Sequence, residues 1–178
     1  MLLELLLLGR GGQGVMTAGR LLADAALKAG LYSQSYPEFG PERSGAPVRA
    51  YVRISDEPVT LRAPIESFDA ATIFEERLLD PTIVDSIKSG GYIVLNSENV
   101  PRLTRSDVKV FVVRARQIIE ELRKPRSLNL AMLGALSSVL EVVPHHYVEE
   151  AIRRRFGEEN AEVVRRASQM VVRLETAV

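Results

Sequence analysis

The chain contains no cysteine, no tryptophan and only two histidines among its 178 residues. Without cysteine it cannot form disulfides, and it cannot hold an iron–sulfur cluster or a zinc ion through thiolates. A redox cluster would therefore have to belong to a partner chain. Net charge is also missing, because 23 Lys and Arg residues balance 23 Asp and Glu residues. No overall field attracts nucleic acid or an anionic membrane, so neither is expected as a partner.

Long hydrophobic runs are absent too, since the longest, Leu2 to Leu8, is interrupted by Glu4. This run is far too short to span a bilayer, and no basic leader or small-residue cleavage site accompanies it. It predicts a buried strand of a cytoplasmic protein. A hydrophobic content of 46% with 26% charged residues is ordinary for a globular chain. We expect one domain over residues 1–178.

Hydrophobic periodicity predicts alternating strands and helices, followed by a helical C-terminal third. After the first strand, a helix is expected from Val15 to Ala29, and Pro81 suits the first turn of a helix that runs to about Lys88. Further strands are predicted at 31–36, 48–54, 70–74, 92–95 and 108–113. From Ala115 the pattern is helical to the end of the chain, with breaks at 124–125, 144 and 157. We therefore expect an α/β fold, a three-layer αβα sandwich with a mainly parallel or mixed sheet and helices on both faces.

Four glycines stand between the first strand and the first helix, in the segment GRGGQG at residues 9–14. Glycine lets a turn approach a ligand closely, and the free N–H groups of a helix start attract anions. The candidate cofactor-binding residues are Gly9, Arg10, Gly11, Gly12, Gln13 and Gly14. Arg10 would supply positive charge for a phosphate. No Gly-Lys-Ser or Gly-Lys-Thr follows, which excludes a P-loop.

Two other interpretations of this segment remain open. The spacing G-x-G-x-x-G also fits a dinucleotide-binding fold, in which Glu38 would take the place of the acidic residue that binds a ribose. Alternatively, the glycines only allow the strand and the helix to pack tightly.

A second constellation occupies residues 35–47, where three prolines and two glycines constrain two aromatic residues and three charged residues, Glu38, Glu42 and Arg43. Rigid loops of this kind often carry function, and Glu42 and Arg43 are the plausible recognition pair. The alternative is an Ω-like surface loop whose charges are only solvated.

Together the two segments resemble the gamma subunits of 2-oxoacid:ferredoxin oxidoreductases, most of all those of pyruvate:ferredoxin oxidoreductase (pyruvate synthase). The resemblance rests on GRGGQGVMTAGRLLADAALKAG at 9–30 and YPEFGPERSGAPVRAYVRISDEPV at 36–59, and extends more loosely through 89–96 and 129–135. The Phe-Gly-Pro-Glu-Arg-x-Gly-Ala-Pro-Val block is much more specific than the glycine segment. Ser44 stands where relatives often carry a larger, commonly basic residue.

The resemblance implies a complex that converts a 2-oxoacid and coenzyme A to an acyl-CoA, carbon dioxide and reduced ferredoxin. In the split form of these enzymes, thiamine diphosphate, magnesium and the iron–sulfur clusters lie in the alpha, beta and delta-type subunits, and ferredoxin accepts the electrons. This chain would hold no cofactor and no catalytic residue alone. It would contribute to coenzyme A access and to subunit assembly.

The glycine segment would then contact coenzyme A or an adjoining subunit. Arg43, Arg49 and Arg53 would add positive charge near the entrance or pair with a partner. The candidate loop and interface residues are Glu38, Gly40, Glu42, Arg43, Gly45, Arg53 and Asn129. A free-standing, Rossmann-like dinucleotide-binding oxidoreductase and a pure scaffold are the competing hypotheses.

Two further groups favour structural interpretations. His146 and Glu150 have i, i+4 spacing, but two side chains do not complete a coordination sphere, so no metal site is expected. Arg153 to Arg155 and the glutamates after them predict a solvated or intersubunit charged face. Asn129 is expected to cap a helix or to contact a partner.

Overall fold

A computed structural model describes residues 1–38 and 45–174, which form one seven-stranded sheet and six α-helices. The strands are β1 (Leu2–Arg10), β2 (Tyr32–Pro37), β3 (Pro47–Ser55), β4 (Phe68–Ile73), β5 (Ile87–Asn96), β6 (Lys109–Val113) and β7 (Val172–Leu174). The helices are α1 (Val15–Lys28), α2 (Pro81–Asp85), α3 (Ala115–Glu121), α4 (Leu128–Val139), α5 (His145–Phe156) and α6 (Glu158–Gln169). The predicted α/β class is confirmed.

The sheet is mixed, with the order β2-β3-β1-β4-β5-β6-β7. Strands β1, β4, β5 and β6 run parallel, whereas β3 is antiparallel to β1, β2 to β3, and β7 to β6. The four parallel strands therefore end at one edge of the sheet. In open α/β sheets, ligands bind outside this edge.

Both faces of the sheet are buried, which explains the nearly continuous apolar sequence of β1. Leu5 and Leu7 pack against the five larger helices α1 and α3 to α6. Leu6 and Leu8 point the other way, into a smaller cluster with Ile83 of α2. The helices are thus divided very unequally between the two faces.

A buried ionic network explains why the apolar run of β1 is interrupted. Glu4 accepts a hydrogen bond from Arg53 Nε at 3.1 Å and pairs with Lys88 Nζ at 3.2 Å, while Lys88 also reaches Asp69 at 3.0 Å. The sequence predicts that alternate residues of β3 line a wetter face. This is wrong for Tyr51 and Arg53, which are buried because the segment after β3 covers them.

Two element boundaries also differ from the sequence prediction. Helix α2 ends at Asp85, and Ser89 to Gly91, expected to follow a longer helix, lie inside β5. There Gly90 has a φ of +78°, and the pairing with β4 shifts register between Phe68 and Ala70. The C-terminal third ends with the short strand β7, because backbone pairing with β6 replaces continued helix.

The breaks at residues 124–125, 144 and 157 are confirmed as the boundaries between α3, α4, α5 and α6. Within the ranges described above, no helix is long and apolar enough to cross a membrane.

Candidate functional site

The glycine segment forms a tight turn between β1 and α1, as predicted. Gly12 and Gly14 have φ values of +89° and +75°, a left-handed region that disfavours other residues. Gly14 directly precedes α1, and among residues 1–38 and 45–174 no side chain caps that helix start. A Cβ atom on Gly9 would lie 2.6 Å from Val15 Cγ2, so the strand and the helix approach too closely for a side chain there. The turn therefore presents an uncapped helix start and also allows close packing.

Gln13 ties the turn together with both ends of its amide group. Its Oε1 accepts a hydrogen bond from Arg10 N at 2.8 Å, and its Nε2 donates to Glu75 Oε1 at 2.6 Å. The same Glu75 oxygen pairs with Arg116. Gln13 thus connects the turn to the residues that follow β4 and β6.

The two motifs found in the sequence meet in space. Gly11 N donates to Ala46 O at 2.9 Å, and Arg10 Nη1 donates to Gly45 O at 3.0 Å. The stem of the 36–47 loop is therefore held against the glycine turn. Arg10 uses one terminal nitrogen for this contact.

Asn129 closes the turn from the helical side. Its Nδ2 donates to Gly14 O at 3.2 Å, and a Cβ on Gly14 would lie 2.5 Å from that nitrogen. Asn129 lies in the first turn of α4, and Ser127 occupies the cap position. The predicted capping role is wrong because the helix begins at Leu128, two residues earlier than a cap at 129 requires. The side chain instead accepts the N–H of Leu130 at 3.0 Å.

Two other candidate residues, Glu38 and Arg53, lie away from the turn. Glu38 lies 3.5 Å from Arg49 Nε and accepts a 3.4 Å hydrogen bond from Tyr51. Glu38 and Arg53 line a separate cleft of about 620 Å³ beside β2. Gly40, Glu42 and Arg43 lie outside the described residues, so their predicted roles stay predictions.

Sequence reasoning missed a second cleft, of about 510 Å³, at the carboxyl ends of β4, β5 and β6. Its lining includes Glu75, Asn96, Ser97, Arg114 and Arg116. Asn96 is buried and joins two strand ends, because it donates to Phe74 O and accepts from Ala115 N. Each predicted strand here is followed by polar residues, and that pattern was the signal for the cleft.

His145 forms a helix–helix contact. Ser137 Oγ lies 2.6 Å from His145 Nδ1, which links α4 to the start of α5, and burial lowers the pKa of His145 below its ordinary value. His145 Nε2 is 3.8 Å from Glu149 Oε2. Glu149 also pairs with Arg165 at 2.7 Å, which makes the predicted charged face a network between α5 and α6. Over residues 1–38 and 45–174, no group of three or more His, Asp or Glu side chains is placed to hold a metal.

Sheet order argues against the dinucleotide-binding alternative. Antiparallel β3 lies beside β1, in the position that a parallel second strand takes in a Rossmann unit. Glu38 follows β2, one strand further out, and its carboxylate already contacts Arg49 and Tyr51.

Comparison with known proteins decides the family. Residues 4–172 match the family described as pyruvate ferredoxin/flavodoxin oxidoreductase. The chain belongs to this family. The resemblance to the gamma subunits is also confirmed, and the free-standing dinucleotide enzyme finds no support.

Relatives in this oxidoreductase family match over nearly their whole length. Pyruvate synthase subunit PorC of Thermotoga maritima is 38% identical over 169 residues, which cover 93% of this chain and 88% of PorC. The pyruvate/ketoisovalerate oxidoreductases common subunit gamma of Thermococcus litoralis is 35% identical, covering 96% and 98%.

Solved structures of the family share the fold. The crystal structure of the Thermotoga maritima PorC subunit matches with a TM-score of 0.84 at 35% identity, covering 97% of this chain and 98% of that one. A 2-oxoglutarate:ferredoxin oxidoreductase from Magnetococcus marinus, solved with 2-oxoglutarate, coenzyme A and succinyl-CoA bound, matches with a TM-score of 0.81. At 24% identity, over 95% of this chain and 31% of the larger one, this match shows a common fold.

Proposed function

We propose that the chain is the gamma subunit of a complex that oxidises pyruvate or a related 2-oxoacid with coenzyme A and passes electrons to ferredoxin. One observation carries this proposal: gamma-type chains of the family match it almost from end to end at 35–38% identity. The names of these relatives differ in substrate, because one is named for pyruvate and another for both pyruvate and ketoisovalerate. Pyruvate is therefore the first substrate to test.

The proposed partners are alpha, beta and delta-type subunits that carry thiamine diphosphate, magnesium and the iron–sulfur clusters. The composition of this chain supports the division of labour, since it has no cysteine to ligate a cluster. The cytoplasmic location expected from the sequence is part of this proposal. Purification of the complex from its source, followed by iron and thiamine analysis of each separated subunit, tests the assignment. Iron or thiamine bound to this chain alone would contradict it.

The finer part of the proposal is that the glycine turn contributes to coenzyme A access. Three features support it: the turn lies at the carboxyl edge of the sheet, the start of α1 has no side-chain cap, and Arg10 stands beside it. Backbone N–H groups at a helix start and a nearby guanidinium suit a phosphate group of coenzyme A. Among residues 1–38 and 45–174, Arg10 contacts Gly45 O through one terminal nitrogen, and a guanidinium carries five N–H donors in all.

Titration of the assembled complex with coenzyme A tests this role. Arg10→Ala and Gly12→Ala should each raise the KM for coenzyme A by about tenfold, the effect of losing about 1.4 kcal/mol of binding. Gly90→Ala is the matched control, because Gly90 also has a positive φ and no neighbour within 4 Å of an added Cβ. It lies near the start of β5, away from the edge where the turn lies. An unchanged KM in both turn variants would contradict the proposal.

A pure scaffold is the second candidate function. The close contacts that Cβ atoms would make at Gly9 and Gly14 favour it, since packing alone requires glycine at these two positions. In that case Arg10→Ala would leave the KM for coenzyme A unchanged while the complex still assembled.

A further inference from the structure

Gln13 joins the glycine turn to the cleft at the ends of β4 to β6. The turn follows β1 and the cleft begins after β4, and these neighbouring parallel strands end side by side. The hydrogen bond from Gln13 Nε2 to Glu75 Oε1, at 2.6 Å, crosses the boundary between them. Glu75 belongs to the cleft lining, and Arg116 pairs with the same carboxylate oxygen.

The amide group of Gln13 suits this position because it has both an acceptor and a donor. The acceptor oxygen takes the N–H of Arg10, inside the turn, and the donor nitrogen takes a carboxylate outside it. A carboxylate at position 13 would accept from Arg10 but repel Glu75. An apolar side chain would lose both contacts.

We propose that Gln13 is a positioning residue, which holds the glycine turn in register with the cleft through Glu75. Glu75 is its anchor, and Arg116 orients that anchor. The distance between the turn and the cleft would then be fixed for a ligand that binds to both. An effect of Gln13 on coenzyme A binding rests on the proposed function, whereas the link from the turn through Gln13 to Glu75 does not.

A side-chain exchange tests the link. Gln13→Glu places two carboxylates together, and should raise the KM for coenzyme A of the assembled complex by about tenfold with kcat changed by less than about twofold. The double variant Gln13→Glu with Glu75→Gln restores the hydrogen bond between positions 13 and 75 with donor and acceptor exchanged, and position 13 still accepts the Arg10 N–H. It should return the KM to within about threefold of the parent value. Gln169→Ala, at the exposed end of α6, is the control for loss of a glutamine and should change neither constant.

A second measurement does not involve coenzyme A. In the isolated full chain, Gln13→Ala removes the acceptor of the Arg10 N–H, so this amide should exchange with solvent about tenfold faster. The amides of β5 should keep their protection, which would show that the rest of the fold is intact.

The outcomes separate the two proposals. The positioning role is overturned if Arg10→Ala raises the KM for coenzyme A but the double variant Gln13→Glu with Glu75→Gln has the same raised KM as Gln13→Glu alone. Unchanged exchange of the Arg10 amide in Gln13→Ala also overturns it. If amide exchange rises while no turn variant affects coenzyme A, the link is supported and the proposed role in coenzyme A access is wrong.

Discussion

Two arginines on the same face of β3 lie in opposite environments. Arg49, with 34% of its side chain exposed, meets Glu38 at 3.5 Å. Arg53 is 2% exposed, and it donates to Glu4 at 3.1 Å and to the carbonyls of Leu61 and Ala63. A buried guanidinium needs all of these partners, because an unpaired buried charge is very costly.

Replacement of each arginine by methionine should show the difference. Arg53→Met leaves the carbonyls of Leu61 and Ala63 without their donor and Glu4 with Lys88 as its remaining partner, and should lower the free energy of unfolding by about 3–5 kcal/mol. Arg49→Met removes an exposed pair, and should cost less than about 1 kcal/mol. Urea denaturation of the isolated chain measures both. Equal losses would contradict the structural assignment of Arg53.

His145 makes the stability of the chain depend on pH. Burial lowers its pKa in the folded state, and Arg165 and His146 act in the same direction, while Glu149 opposes them. The unfolded chain therefore binds a proton more readily than the folded chain. The stability that neutral His145 contributes is present above the ordinary histidine pKa of about 6.5 and is lost as pH falls through the lowered value.

Thermal unfolding at pH 7.5 and pH 5.5 checks this prediction. His145→Gln should lose less stability between the two pH values than the parent chain, because the variant has no proton to take up at this position. His146→Gln, one residue further along α5, is the matched control and should lose as much stability between the two pH values as the parent chain. If His145→Gln and the parent lose the same stability between the two pH values, His145 is not the cause of the pH dependence.

At the scale of elements, α4 is buried over most of its length and contacts α6 very closely. A Cβ on Gly134 would lie 2.4 Å from Val164 O and 2.8 Å from its Cα. Because these are backbone atoms of another helix, they cannot move aside without separating the two helices. The glycine sets the distance between α4 and α6.

Gly134→Ala should therefore destabilise the chain by about 1–3 kcal/mol, although alanine is the better helix former by about 1 kcal/mol. Gly19→Ala in α1 is the matched control, because its Cβ would meet the Ser35 hydroxyl at 2.9 Å and that side chain can rotate. The control should be close to neutral. Chemical denaturation compares them, and a stabilised Gly134→Ala variant would contradict the packing described here.

Prediction of elements succeeded where the periodic pattern was long. The helix from Val15 and the strand from 48 to 54 are found within a residue or two of their expected bounds. The prediction failed at α2 and β7, because elements of three to five residues are too short to show a hydrophobic period. Pairing with β4 decides the path of Ser89 to Gly91, and pairing with β6 decides β7. Neither partner is adjacent in sequence.

At the scale of the whole molecule, one sheet joins the two hydrophobic clusters. Leu5 and Leu7 belong to the larger cluster, and Leu6 and Leu8, from the same strand, to the smaller. Loss of β1 would open both clusters. This arrangement supports the expectation of a single domain over residues 1–178.

Unfolding of the isolated chain should accordingly be a single cooperative transition. Far-ultraviolet circular dichroism follows mainly the helices on one face, and Tyr36 and Tyr51 lie on the other. In a chain whose other three tyrosines, Tyr32, Tyr92 and Tyr147, are replaced by phenylalanine, fluorescence from these two should coincide with the circular dichroism. The two probes should give the same urea midpoint. Two separate midpoints would mean that the faces unfold independently and that the chain is not one cooperative unit.

The sequence by itself determined the fold class, the glycine turn and the family, because these depend on local periodicity, on glycine spacing and on a specific motif at 36–47. Only the tertiary structure decided which residues meet. It brought Gly45 to Arg10, Asn129 to Gly14 and Glu75 to Gln13, and it buried Arg53 away from all of them. The physical reason is that parallel strands place residues far apart in sequence at one edge, so contacts there depend on strand order and pairing.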